Sequence, residues 1–159
     1  MSAIDLLKQQ HRDVEQLFER IQGSRGEERI ALLGALAENL TLHAALEEQF
    51  FYPFAREQGV GNIIDESYQD HTEVKQLLSQ LLQTKQTDAG LMHLITRLQR
   101  MVSEHVGHEE RSLLPQVQAS ADPQELVSLR EDMLEAMERW RDGELLKLAE
   151  HLESPGAMP

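Results

Sequence analysis

Cysteine is absent from all 159 residues. That excludes disulfides, thiolate zinc sites, iron–sulfur clusters and cysteine nucleophiles, so any metal must be held by nitrogen and oxygen. Aromatic residues make up only 4% of the chain, so the core must be mostly aliphatic. Basic residues are scarce: 15 Lys and Arg stand against 28 Asp and Glu, a net charge of −13. A chain this acidic repels phosphate, which argues against nucleic acid and anionic membranes as partners. No apolar run approaches the roughly 18 residues needed to span a bilayer. Residues 1–10 lack the apolar core of a secretory signal. A soluble, cytoplasmic protein is the expectation. The 40% of apolar residues suffices for the core of one domain of this length.

β-Branched residues are also sparse, while Leu, Glu, Gln, Ala and Arg are abundant, which is helix composition. Apolar residues recur at spacings of three and four in five segments. The first covers about 2–22, capped by Ser2 with Asp5 three residues on, and striped by Ile4, Leu7, His11, Val14, Leu17, Phe18 and Ile21. The second covers about 27–58, with Ile30, Leu33, Leu36, Ala37, Leu40, His43, Glu47, Phe50 and Phe51 on one face. Pro53 is expected to kink or end it, and Gly59 and Gly61 to close it. The third covers about 63–85, with Ile64, Tyr68, His71, Val74, Leu77, Leu78 and Leu81. The fourth covers about 89–119, capped by Thr87 or Asp88, with Leu91, Leu94, Leu98, Met101, His105, Glu109 and Leu113; Pro115 interrupts it. Asp122-Pro123 starts a fifth, charged segment to about 152, with a break near Gly143. The pattern predicts an all-α fold, an up-down-up-down antiparallel four-helix bundle with an additional C-terminal helix. Residues 1–120 form the bundle, 121–153 the helical extension and 154–159 a disordered tail.

An internal repeat directs attention to particular residues. His43-Ala-Ala-Leu-Glu47-Glu48 with Pro53 matches His105-Val-Gly-His-Glu109-Glu110 with Pro115, at an offset of 62. His11-Arg-Asp-Val14 with Gln16-Leu17 matches His71-Thr-Glu-Val74 with Gln76-Leu77, at an offset of 60. A helical hairpin written twice and packed on itself gives a pseudo-two-fold bundle. Residues i and i+4 on a helix are about 40° apart in azimuth and roughly 6 Å apart along the axis. Each His-x-x-x-Glu therefore presents an imidazole and a carboxylate to one place. With His11 and His71 in the stripes of the other helices, six ligands can converge: His11, His43, Glu47, His71, His105 and Glu109. Imidazole plus carboxylate suits iron, manganese or zinc.

The order His, His-x-x-x-Glu, His, His-x-x-x-Glu resembles the hemerythrin-like, or HHE cation-binding, family over about residues 5–117. The resemblance implies a four-helix bundle around two non-haem iron ions, carboxylate-bridged, although another divalent metal fits the same donors. It implies metal binding by His11, His43, Glu47, His71, His105 and Glu109. It also implies chemistry with a small diatomic ligand or peroxide: O₂ binding, sensing of O₂ or NO, peroxide handling in oxidative stress, or iron handling. The chain departs from the oxygen carriers of that family at Lys75, where they place a second histidine, and in having Glu at both bridging positions. Water, Glu15 or Tyr68 is a candidate for the open place. An under-coordinated site favours turnover or sensing over carriage. With no further domain in these residues to read a signal, a stand-alone role in stress protection or iron handling is expected.

Other residues carry less. Glu48 and Glu110 lie about 100° further round their helices and are expected at the surface or as acceptors behind the ligands. His108, three residues after His105, is a weaker candidate ligand. His93 and His151 read as surface or packing residues, and Asp13 and Glu73 should face away. Phe50, Phe51, Phe54 and Met101 read as core. The charged fifth helix reads as a solvated face, or as a homodimer contact around Trp140. A ferritin-like di-iron oxidase needs Glu three residues before His; those positions are Lys8, Leu40, Tyr68, Gly90, Val102, His105 and Leu148. A zinc hydrolase would need His-Glu-x-x-His, which is absent. A metal-free bundle that only binds other proteins is the remaining alternative. It must bury four histidines and two carboxylates without a cation, at about 1–3 kcal/mol for each unpaired group.

Overall fold

The computed structural model describes residues 1–85, 87 and 89–141. Helix α1 spans Ala3–Gln22, and Ser2 and Asp5 form the reciprocal cap expected. After Gly26 turns the chain at φ +62°, α2 runs over Gly26–Leu46. It passes through a π turn, π1, at Glu47–Phe51 and continues as α3, Tyr52–Glu57. Gly59, at φ +89°, makes the next corner. Helix α4 spans Gly61–Gln83. Helix α5, Leu91–His108, leads through a second π turn, π2, at Glu109–Leu113, into α6, Leu114–Ser120. Asp122 caps α7, Pro123–Arg139, by accepting from the Gln124 amide, with Pro123 in its first turn. The bundle is all-α and up-down-up-down, with α7 added; no strand occurs among the described residues.

Several expectations need correction. Gly61 opens α4 rather than closing the preceding helix. Helix α5 begins at Leu91, so Thr87 does not cap it, and Asp88 lies outside the described residues. Ile30 is 52% exposed, because the buried face of α2 is set by Leu32, Leu33, Leu36 and Leu40. Pro53 does not end its helix, and the interruption expected at Pro115 is a π turn after which the helix continues. In each π turn the amide of the residue before the proline, Tyr52 or Leu114, reaches back five residues, to the carbonyl of Glu47 or Glu109. The wider turn absorbs the hydrogen bond that proline cannot donate, and the helix runs on. The extension of the fifth segment to about 152, the break near Gly143, His151 and the tail at 154–159 lie outside the described residues.

α1 packs along α2, and α4 along α5, as two hairpins. Their apolar faces do not fuse into one core. One cluster, with Val14, Phe18, Leu36, Leu81, Ile95 and Leu98, fills the end near the α4–α5 connection. The other, with Leu7, Leu46, Phe51, Tyr52, Ile64 and Met133, fills the end near α7. Between them lies a buried polar layer. Helix α7 packs on α1, α2 and π1 and closes the second cluster. Trp140 is buried there, its ring 6.4 Å from that of Phe50. Among the described residues no helix is long and apolar enough to cross a membrane.

Candidate metal centre

Four helices deliver the polar layer: His11 from α1, His43 from the end of α2, His71 from α4 and His105 from the end of α5. Glu47 and Glu109 are the first residues of the two π turns. All six are buried, with Glu47 at 0% and Glu109 at 1% exposure. They form two groups that share both carboxylates, namely His11, His43, Glu47 and Glu109, and Glu47, His71, His105 and Glu109. Within each group the donor atoms all lie within 4.8 Å of one another.

The short separations run through the carboxylates. Glu47 Oε1 is 3.0 Å from both His43 Nε2 and His71 Nε2. Glu109 Oε1 is 3.3 Å from His11 Nε2, and its Oε2 is 3.5 Å from His105 Nε2. His71 Nε2 and His105 Nε2 are 3.2 Å apart. Two donors each about 2.1 Å from one ion, at tetrahedral or octahedral angles, lie about 3.0–3.4 Å apart. The set therefore has the spacing of ligands round a cation. His11 Nε2, His43 Nε2, Glu47 Oε2 and Glu109 Oε1 have no hydrogen-bond partner, although two of these nitrogens lie close to a carboxylate oxygen. Buried polar atoms left unpaired are costly, and a cation between them would satisfy all four.

The outer nitrogens explain the orientation. His11 Nδ1 donates to Glu110 Oε2 at 2.6 Å, His71 Nδ1 to Glu48 Oε2 at 3.0 Å, His105 Nδ1 to Asp70 Oδ2 at 2.9 Å and His43 Nδ1 to Gln10 Oε1 at 2.7 Å. A carboxylate or amide oxygen only accepts, so each Nδ1 carries a proton, and each Nε2 faces the centre, with a lone pair free for a cation whenever the imidazole is neutral. Arg12 holds Glu110, and Lys75 holds Glu48 through both carboxylate oxygens. Glu48 and Glu110 are thus acceptors behind the ligands, one of the two roles expected of them.

Without a cation, the charges answer one another. Burial pulls His105 down, but Glu109 and the hydrogen bond to Asp70 outweigh it and hold the imidazole well above its usual range. Burial likewise opposes the rise at His71 and His11, where carboxylates also prevail. Glu47 is pushed up by burial, yet His43 and hydrogen bonds from its neighbours bring it well below the usual carboxylate range.

Tyr52 is a site residue that helical spacing misses. It is 0% exposed, donates to Glu109 Oε2 at 2.7 Å, and its Oη lies 3.1 Å from His71 Nε2. On a regular α-helix it would lie about 140° from Glu47. The π turn takes up an extra residue and swings it inward; only the proline after it hinted at this. The repeat gives Leu114 at the matching place, so the phenol belongs to one half alone. Glu15 and Tyr68 do not reach the centre: Glu15 is 52% exposed beside Arg12, and Tyr68 donates to the Glu48 carbonyl. His108 pairs with exposed Glu66, and His93 is exposed. Glu73 is exposed, as expected.

A cavity of about 40 Å³ adjoins the four histidines, walled by residues including Leu40 and Val102, with Lys75 also on its lining. It exceeds the roughly 10–15 Å³ that one water needs and falls far short of a drug-sized pocket.

Comparison with known proteins agrees with this geometry. The hemerythrin HHE cation binding domain matches residues 2–117, and again 62–154, where the second copy of the repeated hairpin lies. A hemerythrin HHE cation binding domain-containing protein of Mycobacterium kansasii, known from a crystal structure, is 28% identical, with a TM-score of 0.83 over 93% of this chain and 92% of that one. A Nostoc protein named DNA nickase is 30% identical over 115 residues, 71% of this chain, and the chain spans about a third (32%) of that protein's length. Four inward imidazoles and two shared carboxylates in a duplicated helical hairpin, together with the match over residues 2–117, place the chain in the hemerythrin HHE cation-binding family.

Proposed function

We propose that the protein is a non-haem di-iron protein that reacts with or senses O₂, NO or peroxide, in oxidative stress or iron handling. The observation that carries this is the set of four Nε2 atoms directed at two shared, buried carboxylates, each with its Nδ1 tied outward. In this reading His11 and His43 would hold one ion and His71 and His105 the other, with Glu47 and Glu109 common to both donor groups. Tyr52 would stand beside the second ion, its hydroxyl 3.1 Å from His71 Nε2, on the side where position 75 supplies Lys and not a further histidine. Iron fits because mixed imidazole and carboxylate donors without thiolate hold both of its common oxidation states. When bound, iron supplies the one-electron chemistry that protein side chains lack.

The chain's own groups do the rest. The cavity, walled in part by Leu40 and Val102, has room beside the four histidines for a ligand of a few atoms. Tyr52 holds a proton within hydrogen-bond reach of Glu109: burial and the carboxylates of Glu109 and Glu47 keep its phenol well above the usual range. Residues 1–120 form the metal-binding bundle, and α7 covers one end. The nicking activity in the Nostoc protein's name is not part of this reading, since a net charge of −13 opposes an approach to DNA phosphates.

The test is reconstitution with Fe(II) under nitrogen, an iron count, then admission of air while the visible spectrum is recorded. About two iron per chain and new charge-transfer bands on exposure are expected, with iron lost in His43→Ala and His105→Ala. Full iron retention by both variants, or no iron bound by the parent protein, overturns the proposal.

A further inference from the structure

The two halves of the site repeat each other closely. His11 pairs with His71, His43 with His105, Glu47 with Glu109 and Glu48 with Glu110. Even the cross-links match: Glu110 of the second hairpin holds His11 of the first, and Glu48 of the first holds His71 of the second. Behind His43 and His105 the symmetry breaks. The matching positions are 10 and 70, at the same offset as His11 and His71. One is Gln10, whose amide oxygen takes the proton of His43 Nδ1 at 2.7 Å. The other is Asp70, whose carboxylate takes that of His105 at 2.9 Å.

The surroundings follow the same division. The Gln10 amide lies against buried Met137 of α7, its Nε2 3.7 Å from the sulfur. Asp70 borders a recess of about 200 Å³ shared with Glu66, Glu73 and Glu104. One histidine is backed by a neutral, half-buried amide against α7, the other by an anion in a recess that three more carboxylates and His108 also line.

We propose that this exchange makes the two metal positions unequal: the position of His71 and His105 fills first, and Gln10 and Asp70 are the positioning residues that set the order. The inference rests on the metal-centre reading above. The physical reason is local. Glu47 and Glu109 are common to both positions and cancel in the comparison, as do the carboxylates behind His11 and His71. Apart from the Tyr52 phenol, which stands beside His71 alone and stays the same in all the variants below, what differs is one full negative charge behind one imidazole. A carboxylate acceptor makes the imidazole a stronger donor and fixes its orientation, and loss of such a partner costs 10–100-fold in metal affinity.

The experiment adds Co(II) to the metal-free protein under nitrogen and follows its visible absorption and the heat of binding. The expected result is two steps at least tenfold apart in affinity. His105→Ala should abolish the tight step and His43→Ala the weak one. Asp70→Asn should weaken the tight step by 10–100-fold, and Gln10→Glu should strengthen the weak one. The double variant Gln10→Glu/Asp70→Asn keeps side-chain volumes and the number of carboxylates. In it, the tight step should become the one that His43→Ala removes. A merely structural role for these residues would not reverse the order. Two equal steps in the parent protein, or an unchanged order in the double variant, overturn the inference while leaving the metal centre standing. No Co(II) binding at all overturns both.

Discussion

Tyr52→Phe removes one oxygen from the site and leaves the ring. The ring packs edge-on against Tyr68, with centroids 5.1 Å apart, and at 5.4 Å from His71, and these contacts remain. No cavity larger than a hydroxyl is created. What is lost is a 2.7 Å hydrogen bond from a fully buried phenol to the carboxylate of Glu109, itself 1% exposed. A hydrogen bond to a charged group contributes about 1.5–3 kcal/mol. For a chain of this length, 1 kcal/mol moves the Tm by about 2–4 °C, so the metal-free variant should melt about 3–12 °C lower. The assay is thermal unfolding followed by circular dichroism after exhaustive chelation. Tyr68→Phe is the control: its hydroxyl reaches only a backbone carbonyl, at 3.2 Å and half-buried, which predicts a loss of about 0.5–1.5 kcal/mol. A metal-free Tyr52→Phe protein that melts within 1 °C of the parent, or above it, refutes the reasoning.

Two further predictions follow from burial and charge. In the metal-free protein His11, His71 and His105 are held above the ordinary imidazole value of 6.5, so their stabilisation is complete below that pH and is lost as pH rises through the folded values. Glu47 and Glu48 are held below 4.5, so theirs is complete above that pH and is lost as pH falls through their lower folded values. The metal-free Tm should therefore fall as pH rises above 6.5, whereas metal binding strengthens as the imidazoles shed protons. The gap between loaded and metal-free Tm should widen over that range; a metal-free Tm that climbs with pH contradicts the assignment. Gly34 is exposed inside α2 and a Cβ there meets nothing within 4 Å, so Gly34→Ala should add about 0.5–1 kcal/mol, read as a Tm higher by about 1–4 °C. A Tm below that of the parent refutes this prediction.

The local code of the sequence determined much of this protein. Spacing of three and four marks the buried stripe of α1 from Ile4 to Ile21, and Ser2, Asp122 and Pro123 mark helix starts, because caps and faces depend on neighbours a turn away. The duplicated His-x-x-x-Glu, with one histidine on each other helix, placed six polar residues on inward faces, and the fold brings all six together. Tertiary structure decided what lies across helices. Which group accepts the proton of each Nδ1 depends on packing: Gln10 sits one residue before His11 yet serves His43, and Asp70 one residue before His71 yet serves His105. Tyr52 entered the site through a π turn, a departure from the 3.6-residue period on which every azimuth read from the sequence relies. Ile30 turned out opposite to its sequence reading for the same reason: it faces outward because the neighbouring helices assign each face of α2 its surroundings. Periodicity fixes the direction of a side chain relative to its own helix; only the packed bundle determines what that side chain meets.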